Sequence, residues 1–292
     1  MSAIVTVGVD GSPESRAAAR WAADEARRRA ATLDIVFVRE VDPHPHPYTT
    51  LYDPDKESSW AQTLLREIAA EASEAHPGLP VTTRLLSGYA AQLLPEAAAD
   101  SDMLVLGTRG IGAVAGFFIG SVGLPTVAHL NRPVVLVRAP EKSTAATPVD
   151  AGDVVVGLKL NRPAEDLLAF AFEAAAGRSA RLRVLHTWDL PPTYGVRPIA
   201  APTGAEAELS QERSEALDTA LRPWREKYPT VEILCEAVVG RAAHHLIEAA
   251  DGASLVVVGR RLRRTPIGAR IGAVAHAVMH HATVPVAVVP HD

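Results

Sequence analysis

The stretch MLVLGTRGIGAVAGFFIGSVGLPTVA, residues 103–128, decides how the chain is read. Met103-Leu104-Val105-Leu106 is an unbroken apolar run, as expected of a parallel strand covered on both faces. Glycines follow at 107, 110, 112, 116, 120 and 123. Glycine accepts positive φ at little cost and lets backbone N–H groups approach a ligand. Between a strand and a helix, such a turn suits phosphate, because free N–H groups and the helix dipole converge there. Two familiar phosphate loops are excluded. The chain has no G-x-x-x-x-G-K-[ST], and these glycines do not spell G-x-G-x-x-G. Their spacing is Gly107-x2-Gly110-x9-Gly120-Ser121. A rival reading is a membrane helix. Residues 111–128 carry no charge, Gly112, Gly116 and Gly120 stand four apart, and the length nearly spans a bilayer. Pro125 and the glycines make a poor free helix. The counterpart stretch later in the chain carries Arg270, His276, His280 and His281, which also opposes a membrane.

A length of 292 residues suggests two domains of ordinary size. With 48 % apolar and 22 % charged residues, the chain has enough apolar material for a sizeable core. The net charge of −5 gives no basic excess that would point to nucleic acid. The single cysteine, Cys235, excludes an intramolecular disulfide and suits a reducing compartment; as a small apolar residue it reads as core. A strand begins at Ala3 with no basic stretch before it, so no secretory signal is expected. These features together give a cytoplasmic expectation.

Residues 3–9 read as the first strand. Asp10-Gly11-Ser12-Pro13 follows, with Ser12 suited to cap a helix and Pro13 to open it. That helix is expected to run to about Ala30, followed by a strand over Leu33–Val38. Asp42–Ser59, with four prolines, reads as a loop, and Trp60–Ala75 as a helix. A strand over Val81–Leu86, a helix over Ala90–Ala99 and the strand at 103–106 come next. A helix then ends near His129, and Pro133–Arg138 is the fifth strand. Residues 139–153 are a polar linker. After it the pattern returns about 150 residues on: Gly88 as Gly240, Gly107 as Gly259, His129 as His281, Pro133 as Pro285. Domains are therefore expected at 1–140 and 151–292. Alternating strands and helices imply parallel sheets covered by helices.

Val7-Gly8-Val9-Asp10-Gly11-Ser12, the glycine spacing at 107–121 and Pro133-Val134-Val135-Leu136-Val137 resemble the universal stress protein family, in its tandem, actinobacterial type. The resemblance covers nearly the whole chain. It implies an α/β fold of two tandem doubly wound, Rossmann-like domains, each a five-stranded parallel sheet flanked by helices. It also implies ATP binding and a regulatory role in the stress response. For the site it points to Gly8, Asp10, Val38, Gly107, Thr108, Arg109, Gly110, Gly120, Ser121 and Val122. Asp10 would meet ribose or adenine; otherwise its carboxylate closes an Asx-type turn. Val38 would hold adenine through its backbone. Gly107, Gly110, Gly120 and Ser121 would contact ribose and phosphate, and Arg109 would pair with a terminal phosphate.

The chain departs from the family after Ser121. Many members carry a second hydroxyl two residues on, where this chain has Gly123. ADP, AMP or a cyclic nucleotide therefore stand beside ATP as ligands, and magnesium is compatible with the phosphates. No nucleophile, general base or metal cluster stands out beside the glycines, so no catalytic residue is assigned. At most, slow ATP hydrolysis follows from the resemblance. The second half has Lys159 for Asp10, Leu262 for Gly110 and Ala273 for Ser121. It is expected to bind nucleotide weakly or not at all, although Arg260, Arg261, Arg263, Arg264 and Arg270 could hold an anion instead. His276 and His280 share the i, i+4 spacing of a metal pair, with no third ligand close in sequence; no metal is expected. Val134–Val137 and Val286–Val289 would each be an edge strand; the resemblance implies that such strands pair between the halves, which protects both edges, and a homodimer is expected as well. A scaffold with vestigial nucleotide sites is the alternative function.

Overall fold

The structure is a computed structural model. It describes residues 3–40, 54–108, 120–139, 152–160, 164–188, 205–262 and 271–292. The chain divides into two compact units, Met1–Thr144 and Ala145–Asp292.

In the first unit, strands β1 (Ile4–Val9), β2 (Thr32–Arg39), β3 (Val81–Ser87), β4 (Met103–Thr108) and β5 (Val134–Arg138) alternate with helices α1 (Pro13–Arg28), α2 (Pro54–Ala75), α3 (Ala90–Ala97) and α4 (Gly120–His129). The strands run parallel in the order β3-β2-β1-β4-β5. The apolar runs of β4 and β5 are continuous because both faces are covered, whereas β3, at the end of this order, is partly exposed. Val5, Val7, Leu33, Ile35, Met103 and Leu104 are completely buried. Helices α1 and α2 pack together on one face, and α3 and α4 together on the other.

The second unit repeats this plan with β6 (Val154–Gly157), α5 (Glu165–Arg178), β7 (Leu182–Trp188), α6 (Ala205–Lys227), β8 (Ile233–Val239), α7 (Ala242–Ala249), β9 (Leu255–Arg261), α8 (Ala273–His281) and β10 (Val286–His291). Its order is β8-β7-β6-β9-β10, again parallel. The duplication extends to single backbone groups. Gly88 and Gly240 both have positive φ, at 147° and 124°. Each donates its N–H to the last residue of the neighbouring strand, Arg39 O at 2.9 Å and Trp188 O at 3.0 Å.

Two expectations need correction. Helix α2 begins at Pro54, so residues 54–59 are helical, not loop. A proline is favoured at a first helical position, and a cluster of prolines hides that signal. Pro125 lies in the second turn of α4, so the helix lacks the N–H that would reach the Ser121 carbonyl. Cys235 is half-buried on β8 rather than core. Residues 103–128 divide into strand β4 and nearly all of helix α4, with 109–119 outside the described residues. Among the described residues no helix is long and apolar enough to cross a membrane.

Candidate functional site

Strands β1 and β4 are neighbours whose following helices leave to opposite faces of the sheet. Such a switch point opens a crevice at the carboxyl ends of the strands. A cleft of about 410 Å³ lies there. Its walls come from the end of β1 (Gly8, Val9, Asp10), from β2 (Val36, Val38), from α3 (Ala90, Leu94), from β4 (Leu106, Gly107) and from the start of α4 (Gly120 to Gly123). The first turn of α1 completes it with Ser12, Glu14 and Ser15.

The β1–α1 connection is a closed hydrogen-bond system. The Ser12 N–H and hydroxyl both donate to Asp10 Oδ1, at 2.9 and 2.6 Å. Ser12 Oγ accepts the Ser15 N–H at 3.1 Å, capping α1, and Pro13 opens the helix. The Ser15 hydroxyl donates to the Ser12 carbonyl at 3.0 Å and accepts the Asp10 N–H at 3.3 Å. Partial burial works to raise the Asp10 carboxyl, but the hydrogen bonds from Ser12 and Ser15 outweigh it and hold the group below the ordinary carboxylate range. Both readings of Asp10 thus meet in one residue: it closes an Asx-type turn, and it lines the cleft.

Glycine is needed at Gly107 for packing. A Cβ there would stand 2.5 Å from the carbonyl carbon of Glu14 and 2.6 Å from the Ser15 nitrogen, so α1 is seated directly on β4. At Gly120 the need is conformational. Its φ is +76°, and an added Cβ would meet nothing within 4 Å. Gly8 faces the tips of Leu94 and Leu106.

Of the residues expected at the site, Gly8, Asp10, Val38, Gly107, Gly120, Ser121 and Val122 come together in the cleft. Thr108 is buried at the end of β4, opposite Arg138, and is not among the lining residues. Arg109 and Gly110 lie outside the described residues. Sequence reasoning passed over Glu14, Ala90 and Leu94. The apolar positions of α3 were visible, but not which of them reaches the strand ends.

At the corresponding place in the second unit, Gly157 abuts Leu246 as Gly8 abuts Leu94. Lys159 is exposed after β6, and Ala273 stands where Ser121 is in the first unit. Leu262 is tied by its N–H to the His291 carbonyl. Arg260 and Arg261 are the last residues of β9 rather than part of the loop after it; Arg260 is 4 % exposed, whereas Arg261 is exposed. Arg263, Arg264 and Arg270 lie outside the described residues. The His276 and His280 rings are 4.4 Å apart. Among the described residues no group of three His, Cys, Asp or Glu side chains is arranged to hold a metal.

Comparison with known proteins places this site in context. The model of the universal stress protein family matches residues 1–138 and again 152–290. Universal stress protein Rv2005c of Mycobacterium tuberculosis is 32 % identical over 289 residues, covering 97 % of this chain and 96 % of the relative. Universal stress protein Rv1996 of the same organism is 33 % identical over 308 residues, covering 99 % and 96 %. The crystal structure of a universal stress protein from Archaeoglobus fulgidus superposes with a TM-score of 0.71 at 15 % identity, covering 99 % of this chain and 98 % of that one; this is a likeness of fold.

Proposed function

The chain belongs to the universal stress protein family, and from that premise we propose that it binds an adenine nucleotide in its first unit and acts as a regulatory protein of the stress response. The observation that carries this reading is the cleft at the switch point. It gathers an ionised Asp10, the apolar wall of Val36, Val38 and Leu94, and the start of α4 at Gly120–Ser121. These are the three surfaces a nucleotide requires. The apolar wall takes the base, the carboxylate accepts from hydroxyl or amino groups, and the helix N-terminus takes phosphate. ATP, ADP, AMP or a cyclic nucleotide meets these requirements, and magnesium would accompany the longer phosphate chains.

The second unit departs at the decisive positions, with Lys159 and Ala273, so binding is proposed mainly in the first. Regulation then works through ligand-dependent partner binding, with at most slow hydrolysis. The cytoplasm is the proposed location, and a homodimer the proposed assembly. A scaffold with vestigial sites is the second reading, favoured by the altered second unit.

Isothermal titration of the full chain with ATP, ADP, AMP and cyclic AMP tests the proposal, repeated on Asp10→Ala. We expect one site per chain, weakened on the order of tenfold or more by loss of a charged hydrogen bond. A chain that binds none of the four favours the scaffold.

A further inference from the structure

Each unit carries an ion pair at the same place, with opposite polarity. In the first unit, Asp34 on β2 meets Arg84 on β3. Arg84 Nε donates to both carboxylate oxygens, at 3.1 and 3.0 Å, and a second guanidinium nitrogen donates to Oδ2. In the second unit, Arg183 on β7 meets Glu236 on β8, donating to Oε1 and Oε2 at 2.7 and 2.9 Å. The strand registers coincide. Leu33 lies opposite Val81, and Leu182 lies opposite Ile233. Asp34 therefore corresponds to Arg183, and Arg84 to Glu236. In both units the ion partner stands two residues beyond the one directly opposite, which is Thr82 for Asp34 and Leu234 for Arg183. The acid stands on the inner strand of the first pair and on the outer strand of the second.

We propose that this reversal of polarity selects strand partners, so that β2 accepts β3 and rejects β8, while β7 accepts β8 and rejects β3. A chain that carries one plan twice can exchange half-units within itself or with a second copy. Such an exchange crosses at residues 40–53 and 189–204, which join β2 to α2 and β7 to α6. Because the registers coincide, backbone pairing alone does not oppose it, and the side chains must discriminate. With β8 beside β2, Glu236 stands next to Asp34, which is 5 % exposed, and Leu234 replaces the Thr82 hydroxyl that donates to Asp34 at 3.0 Å. With β3 beside β7, Arg84 stands next to Arg183. Two attractions become two repulsions. At roughly 5 Å and an effective dielectric of about 40, each repulsion disfavours the exchanged pairing on the order of tenfold. The simpler role of each pair is to match charge within its own unit. That role is indifferent to which strand carries the acid, so reversing one pair separates the two.

The test is refolding of the full chain from denaturant in a glutathione redox buffer, with Cys235 as reporter. Cys235 lies opposite Val184 on β7, and in an exchanged pairing it would lie opposite Ile35, the equivalent residue of β2. Ile35→Cys is placed in the unaltered chain, in Arg183→Asp with Glu236→Arg, and in Arg183→Met with Glu236→Gln. The disulfide between position 35 and Cys235, quantified by peptide mass spectrometry, counts exchanged strands, and gel filtration separates exchange within a chain from exchange between copies. We expect little of this disulfide with the unaltered pairs, roughly tenfold or more with the reversed pair, and an intermediate amount with the neutral pair. Val184→Cys, bonded to Cys235 in the native pairing, shows that the geometry permits the bond. The neutral pair keeps the comparison if the reversed pair impairs folding. Equal amounts of the position-35 disulfide with unaltered, reversed and neutral pairs would overturn the proposal.

Discussion

Gly107 and Gly120 belong to one sequence signature, yet they are glycine for different physical reasons. Gly107→Ala drives a methyl group to 2.5 Å from the backbone of α1, which cannot rotate away as a side-chain tip could. Gly120→Ala meets open space but keeps a φ of +76°. In chemical denaturation we expect Gly107→Ala to lose about 3 kcal/mol or more and Gly120→Ala about 1 kcal/mol. Equal losses would refute the distinction. Asp10 adds a pH dependence. Its folded-state pKa lies below the ordinary 3.8, so its stabilising contribution is present above that value and is lost as pH falls through the folded pKa. The stability difference between the parent and Asp10→Asn should therefore be constant near neutrality and shrink below about pH 4. It stays small, because the group is exposed. At this scale the glycine spacing was legible in the sequence, but the cause of each glycine was not. Spacing carries no record of which backbone lies opposite a missing Cβ.

At the scale of elements, strands were easier to read than helix ends. The apolar runs at 103–106 and 134–137 need no partner to be recognised, because burial on both faces leaves no alternation to misread. Helix α2 was read six residues too short, since a proline that opens a helix and one that breaks it look the same. The contribution of α3 to the cleft was hidden for a related reason. Ala90 and Leu94 share a helical face, but their height above the strand ends is set by packing. A polar cluster around the buried Asp34 joins β2, β3 and α3. Arg84 donates to both oxygens of Asp34 and to the Ala97 carbonyl, and Thr82 donates to Asp34 at 3.0 Å. Asp34 is 5 % exposed. Asp34→Ala should cost about 1–2 kcal/mol in denaturation, because it removes the buried acceptor of several hydrogen bonds while Arg84, 40 % exposed, can still be hydrated. On β8, burial and the neighbouring Asp218 push the Cys235 thiol up to about 11, against the pull of Arg225. At pH 8 about a thousandth of it is thiolate, so a disulfide reagent should react far more slowly with the folded chain than with the unfolded one. Equal rates would contradict the burial.

At the scale of the molecule, duplication preserved the scaffold and altered the site. Gly88 and Gly240 keep the same positive φ and the same backbone bond, although Gly88 faces Leu93 and Gly240 faces His245, and Gly8 and Gly157 each abut a leucine, Leu94 and Leu246. Asp10 and Ser121 contribute mainly to the cleft, and their counterparts are Lys159 and Ala273. Two units and their degenerate second signature were legible because a repeat is compared with itself. The placement of Arg260 and Arg261 at the end of β9 was not, since composition cannot separate a buried Arg260 from an exposed Arg261. Mass spectrometry of the full chain saturated with adenine nucleotide under native conditions, alongside the double variant Lys159→Asp, Leu262→Gly, tests the central claim most directly. The account predicts one nucleotide per chain for the parent and a stoichiometry above one for the variant. Two nucleotides per parent chain, or none, would contradict it.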